Sequence, residues 1–215
     1  MEATFGFVDL SGFTALTEAH GDEAAANVAE RFVEMARDCL RDPGRLVKTI
    51  GDAVLVEHAH PAEALQFIEA LAVQAGAATD MLALRGGLHH GEAVRRGADV
   101  FGNAVNLAAR VAAQASAGQL LLTSFVADAA RSRGMKVIDL GEQLLRSIVE
   151  PVSLYLVDLG GGDRVVTTDP VCQMKVDARD APGRLRLEGV EYAFCSIECA
   201  GRFASNPAPY LRRRS

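Results

Sequence analysis

At 215 residues the chain has room for one medium domain and a small one, and 49% hydrophobic residues are enough for a real core. A net charge of −6 argues against general nucleic-acid binding, and no apolar run approaches the ~18–20 residues of a membrane span. The first strand is entered by Thr4, which leaves no space for a signal peptide and points to a cytoplasmic location.

Residues 3–9 read as a buried strand, and the alanine-rich stretch from Asp22 to Leu40 carries Val28, Phe32, Met35 and Ala36 at helical spacing until Asp42-Pro43-Gly44 breaks it. Arg45–Ile50 and Ala53–Glu57 form a hairpin closed by Gly51-Asp52, and Pro61 starts a second helix running to Thr79. Leu82–His89 and Ala93–Arg95 are expected as another hairpin around His90-Gly91-Glu92. A helix from Gly102 to Ala115 follows, then a strand at Gln119–Thr123, a helix at Ser124–Arg133, and strands at Met135–Leu140 and Ser153–Leu159. The order strand–helix–strand–strand–helix–strand predicts an α+β fold with a ferredoxin-like βαββαβ core. Gly160-Gly161-Gly162-Asp163 predicts a flexible linker, so the expected units are 1–159, a linker at 160–168, and a small unit at 169–212.

Charge and cysteine usage support that division. From Arg164 onward there are nine Lys/Arg against six Asp/Glu; before it, 13 against 22. Arg212-Arg213-Arg214 reads as a solvated tail. Cys39 stands alone in a helix and reads as a buried small apolar residue, whereas Cys172, Cys195 and Cys199 cluster after residue 169. In a reducing compartment three such cysteines suggest a metal site more than disulfides.

Two aspartates carry the chemistry. Asp9 ends the apolar run Phe5-Gly6-Phe7-Val8, and Asp52 sits on the Gly51 turn between two strands. Two carboxylates at strand ends of one sheet can hold two hard divalent cations against a polyphosphate. In the block Asp99-Val100-Phe101-Gly102-Asn103-Ala104-Val105-Asn106-Leu107-Ala108-Ala109-Arg110, Asn106 and Arg110 share one helix face. An amide and a guanidinium aimed at one point clamp developing negative charge, although alone the block also reads as an exposed polar face. His89 and His90 read as structural or solvated strand-end histidines rather than general bases.

Phe7-Val8-Asp9-Leu10-Ser11-Gly12-Phe13-Thr14, Lys48-Thr49-Ile50-Gly51-Asp52 and the Asp99–Arg110 block, in that order, resemble a class III nucleotidyl cyclase homology domain. The resemblance covers residues 1–159, with Leu140-Gly141-Glu142 and Glu150-Pro151-Val152 near its end. It implies Asp9 and Asp52 as ligands of two Mg2+ or Mn2+ ions, the Leu10 carbonyl as a further ligand, and the amides of Ser11, Gly12, Phe13 and Thr14 facing a triphosphate. Lys48 and Asp99 match the pair that reads adenine, where a guanylate cyclase usually has Glu and Cys. Asn106 matches the residue that orients the ribose and Arg110 the one that stabilises the transition state. Arg85 matches a phosphate-contacting arginine, and Arg146 falls near a position that is often lysine. The implied function is an adenylate cyclase that makes 3′,5′-cyclic AMP and pyrophosphate from ATP. In this family two chains pack head to tail, so Asp9, Asp52 and Arg85 would meet the partner subunit's Lys48, the partner subunit's Asp99, the partner subunit's Asn106 and the partner subunit's Arg110 in a homodimer.

Asp169-Pro170-Val171-Cys172-Gln173-Met174, Tyr192-Ala193-Phe194-Cys195-Ser196 and Cys199 resemble a YHS domain of the TRASH-like group. Cys195 and Cys199 are one helical turn apart, and a unit of ~40 residues is short of core without a staple. Three thiolates suit Zn(II) or Cu(I), with Met174, Asp169, Glu198 or a small molecule open as the fourth ligand; buried thiols in a small aromatic core are the plain alternative. Metal there would regulate the cyclase. The second functional reading is a metal-responsive binding or dimerisation protein whose cyclase-like domain is inactive.

Overall fold

A computed structural model describes residues 1–78, 80–160 and 166–211. The chain opens with strand β1 (Glu2–Ser11), then helices α1 (Phe13–His20) and α2 (Asp22–Cys39), the hairpin β2 (Arg45–Ile50) and β3 (Ala53–His58), helix α3 (Pro61–Ala77) and strand β4 (Ala83–Glu92). Next come β5 (Val94–Arg96), β6 (Asp99–Phe101), α4 (Asn103–Ala112), β7 (Gln119–Thr123), α5 (Ser124–Ser132), β8 (Ile138–Gln143) and β9 (Val152–Asp158). Seven of these strands form one sheet in the order β2-β3-β1-β4-β7-β9-β8, with β1 antiparallel to both neighbours and β4 parallel to β7. The first four give the expected ferredoxin-like core.

The strand β1 sits at the centre, and its period of two divides the molecule. Val8 and Leu10 face the large core with Phe32 of α2 and Leu65 and Ile68 of α3. Phe5 faces the other side with Leu55, Ala104 and Ala108, and half-buried Phe7 packs there too. That second face is covered by α4, whose C-terminal end lies hard on β4: a Cβ on Gly87 would meet the Ala112 nitrogen at 2.3 Å. Only glycine permits this approach.

Three elements differ from expectation. A separate helix α1 precedes α2, ended by Gly21 at a positive φ of 86° that suits glycine, whose N–H donates to the Thr17 carbonyl. The hairpin expected around His90-Gly91-Glu92 does not form; β4 runs through it to Glu92, and β5 pairs with β6 instead, Arg95 opposite Val100. The last edge strand starts at Ile138 and reaches Gln143, past the expected Met135–Leu140. Residue 79, the expected end of the third helix, lies outside the described residues, as do 161–163 of the glycine-rich linker and Arg212 to Arg214.

After the linker come β10 (Val166–Thr168), β11 (Lys175–Asp177), the hairpin β12 (Gly183–Leu187) and β13 (Val190–Phe194), and helices α6 (Ile197–Ser205) and α7 (Ala208–Leu211). Phe203 packs on Tyr192, Phe194 and Tyr210. This small unit docks on the first: Leu82 bridges Met174, the Lys175 N–H donates to the Met81 carbonyl at 3.0 Å, and Val171, Cys172, Phe194 and Phe203 join the large core.

His58 is buried and His89 half-buried, and burial disfavours the charged form of both. His89 Nδ1 lies 2.9 Å from the Thr123 hydroxyl, and burial lowers its pKa to about 4; burial also lowers that of His58. The unfolded chain therefore takes up protons that the folded chain refuses as pH falls from the ordinary histidine value towards 4, so stability present above that value is lost across this window. Urea denaturation should give a lower midpoint at about pH 5 than at about pH 7.5, and His89→Gln should narrow the difference.

Candidate functional site

The register of β1 sets the carboxylates. Asp9 lies opposite Ala53 on β3 and Arg85 on β4, which puts it beside the Gly51-Asp52 turn on one side and a guanidinium on the other. Arg85 grips Asp9 with two hydrogen bonds, Nε to Oδ1 at 2.7 Å and a terminal nitrogen to Oδ2 at 2.9 Å. Asp52 comes in from the turn, where its own amide and that of Leu10 favour the charged carboxylate. Burial pushes the Asp52 carboxyl up from its ordinary range, and the Asp9 charge adds to this. Two half-buried carboxylates that repel one another form a donor set suited to a hard divalent cation.

The next residues turn into α1. Gly12 holds φ 90° at its N-cap with no side chain capping the helix, so the first-turn N–H groups after Ser11 have no intrahelical partner. Phe13 and Thr14 are the first two residues of that turn. The N-terminus of a helix favours anions.

Lys48 and Asp99 meet directly: Nζ donates to Oδ2 at 2.7 Å, and the ammonium lies 5.9 Å from the centre of the Phe101 ring. The ion pair holds the Asp99 carboxyl below its usual range, helped by the Val100 amide. The short β5–β6 ribbon that carries Asp99 is tied down by charge. Buried Glu57 on β3 accepts from Arg45 of β2 at 2.6 Å and from Arg95 of β5, while Arg45 also donates to the Ala98 carbonyl at 2.8 Å. Asn106 and Arg110 are exposed on α4, one turn apart. Arg146 is exposed in the segment between β8 and β9.

The thiols of Cys172, Cys195 and Cys199 converge, and a fourth group joins them. His20, the last residue of α1, lies with Nε2 at 3.5 Å from the sulfurs of both Cys195 and Cys199. Cys195 is 3.4 Å from Cys172 and 3.7 Å from Cys199, and all four ligand atoms fall within 4.8 Å of one another. Buried Asp169 organises the set without joining it: Oδ1 accepts from the Val171 and Cys172 amides and Oδ2 from the Cys195 amide. Ser196 caps α6 by accepting from the Cys199 N–H. Hydrogen bonds from Cys172 and Cys195 hold the Cys199 thiol below its ordinary range, and Cys172 is pushed up in turn.

Residues 1–158 match the adenylate and guanylate cyclase catalytic domain. The chain belongs to this family. Residues 167–214 match the YHS domain. A pH-sensitive adenylate cyclase of Mycobacterium tuberculosis is 35% identical over 163 residues, 74% of this chain and 41% of that one. An adenylate cyclase of Streptomyces coelicolor is 35% identical over 130 residues, 60% of this chain and 34% of the other. The chain thus spans about two fifths or less of the length of these two relatives. An adenylate cyclase of Trypanosoma brucei, solved in its monomeric state, shares the fold with a TM-score of 0.67 at 22% identity, over 75% of this chain and 91% of that one.

Within this cyclase fold the structure brings Asp9, Asp52 and Arg85 together, pairs Lys48 with Asp99, and gathers the three cysteines. Asp169 and Glu198, two of the residues open as a fourth thiol-site ligand, stand elsewhere: Asp169 is spent on amides and Glu198 is exposed. His20 is the group that motif reading missed, and no local pattern marks it. Asp169→Ala would leave buried amides unpaired at a local cost of about 2–4 kcal/mol. Hydrogen exchange at Val171, Cys172 and Cys195 should quicken accordingly while β1 and β4 stay protected.

Proposed function

We propose that the chain is an adenylate cyclase that converts ATP to 3′,5′-cyclic AMP and pyrophosphate at sites shared by two copies. The observation that carries this reading is the convergence of Asp9 and Asp52 on a sheet whose edge strand β2 carries Lys48, paired with Asp99 of the β5–β6 ribbon. The relatives named as adenylate cyclases support the same substrate.

Asp9 and Asp52, with the Leu10 carbonyl, would hold two Mg2+ or Mn2+ ions, which supply a lowered pKa for the attacking hydroxyl and charge neutralisation on the phosphates. Arg85, which holds Asp9 in the absence of substrate, would turn to the phosphate chain once Asp9 serves as a metal ligand. The amides of Ser11 to Thr14 face the triphosphate at the start of α1. Lys48 donates to an adenine ring nitrogen and Asp99 accepts from the exocyclic amine; Arg45 and Glu57 hold the ribbon that sets this distance. Asn106 orients the ribose, and Arg110 stabilises charge on the reacting phosphate. The 3′-oxygen forms a bond to the α-phosphorus as its proton passes to solvent, and pyrophosphate leaves with the electron pair of the broken P–O bond. Arg146 is assigned to substrate binding.

Two chains are invoked because the apolar surface around this face is open: Val94, Phe101, Leu144 and Val149 are 53%, 52%, 76% and 95% exposed. An open cleft beside α4 is lined by His89, Phe101, Asn103, Leu107, Ile148 and Val149. The C-terminal unit is read as a thiol metal site, Zn(II) or Cu(I), that regulates the cyclase, with the two units divided at 160–168.

Purified protein given ATP and Mn2+ should yield cyclic AMP identified by mass, and Asp9→Ala should lower the rate at least about a hundredfold. Absence of cyclic nucleotide from a folded dimer would favour a binding module. Asp9→Ala and Arg110→Ala are expected to be inactive alone and, mixed, to regain about a quarter of the wild-type rate through one intact site per mixed dimer. The pair Lys48→Glu with Asp99→Cys should move the GTP-to-ATP preference by about tenfold or more.

A further inference from the structure

The thiol cluster is built from both units. Three ligands come from the C-terminal segment, but the fourth, His20, ends the helix whose first turn follows Gly12. The spacings fit one ion. A tetrahedral centre with metal–sulfur bonds near 2.3 Å and a metal–nitrogen bond near 2.05 Å has S···S edges of about 3.8 Å and S···N edges of about 3.5 Å. Four of the six edges are 3.4 and 3.7 Å between sulfurs and 3.5 Å twice to His20 Nε2, and the two from Cys172 to Cys199 and to His20 lie within 4.8 Å. A Cys3His set of this shape suits Zn(II) before Cu(I), which is content with fewer, softer ligands.

A second contact ties the same two units at the other end of α1. Gln173, adjacent to the ligand Cys172, holds φ 66° and lies so close that a Cβ on Gly12 would stand 2.6 Å from its own Cβ. Beside this contact, residues of both units, among them Ser11, Ala83, Ala117, Thr168, Pro170 and Gln173, line a cavity of 390 Å³. The helix α1 is therefore held at both ends by the C-terminal unit, by the Cys195 and Cys199 thiols at His20 and by packing at Gly12.

We infer that a Zn(II)-class ion bound by His20, Cys172, Cys195 and Cys199 staples the C-terminal unit to α1, so that the order of the loop from Ser11 to Thr14 depends on metal. The inference rests on the reading of the cysteines as a metal site and adds the ligand that makes it a link between units. An α-helix of eight residues is about 12 Å long and stiff, so a fixed end at His20 fixes the first turn as well. Without the ion, packing at Gly12, the Arg202 hydrogen bond to the Glu18 carbonyl at 3.1 Å and the backbone pairing of Lys175 with Met81 hold the two surfaces.

The test uses the full chain, reduced and stripped of metal, titrated with Co(II) and then Zn(II). Wild type should show thiolate-to-cobalt charge transfer with tetrahedral visible bands, and Zn(II) should displace them. His20→Ala should bind at least about tenfold more weakly with altered bands, and His20→Cys should restore affinity with a four-thiolate spectrum. Amide exchange across residues 12–20 should slow on Zn(II) addition in wild type and His20→Cys, but not in His20→Ala. Equal spectra and affinities in wild type and His20→Ala, or exchange across 12–20 that ignores Zn(II), would overturn the staple while leaving a thiol site standing. No charge transfer from wild type at all would overturn the thiol site and the staple with it.

Discussion

The alternation of side chains along β1 is the constraint on which the rest depends. Because successive residues of a strand point to opposite faces, the run that buries Val8 and Leu10 against α2 and α3 must turn Phe5, Phe7 and Asp9 the other way. A slip of one residue would bury the carboxylate and expose the core. Register with β3 and β4 then decides what Asp9 meets: Ala53, next to Asp52, on one side and Arg85 on the other. The hydrophobic core of this fold and the chemistry on its surface are thus one choice made twice along the same strand.

Charge is used differently in the two units. Around Asp9 the arrangement is open: a half-exposed guanidinium holds a carboxylate that can change partner. Around Asp169 it is closed. A fully buried carboxylate has its oxygens committed to amides from two separate segments, and its worth lies in where it places the sulfurs rather than in what it binds. The Glu57 clamp lies between these extremes, a buried acid whose two arginine partners reach solvent and which positions a neighbouring ribbon.

What could be read from the chain alone followed the range of the interaction. Asp9 and Asp52 were legible because each sits in a local frame of apolar run and glycine turn, and Cys195 and Cys199 because one helical turn is a local spacing. The ferredoxin-like order was legible from the alternation of helical and strand periods. The helix α1 was not, since eight residues containing Thr14, Thr17 and Glu18 give too short a period beside the longer α2. Nor was the β5–β6 ribbon, whose three-residue strands depend on Arg45 and Glu57 from elsewhere. His20 was invisible for the same reason: 152 positions separate it from Cys172, and only the docking of the small unit brings them together. A ligand contributed across a domain junction leaves no spacing to recognise.

The docking itself bears on how the protein is handled. Sequence similarity changes character between residues 158 and 167, yet packing does not stop there. Met81 and Leu82, fully buried at the entrance to β4, owe part of that burial to the strand-like pairing with Met174 and Lys175, and the large core continues into Phe194 and Phe203. A cyclase fragment cut at the apparent boundary would carry an open backbone edge and raw apolar surface beside it, the combination that drives edge-to-edge association. The place where the chain divides most naturally on paper is therefore a poor place to cut it.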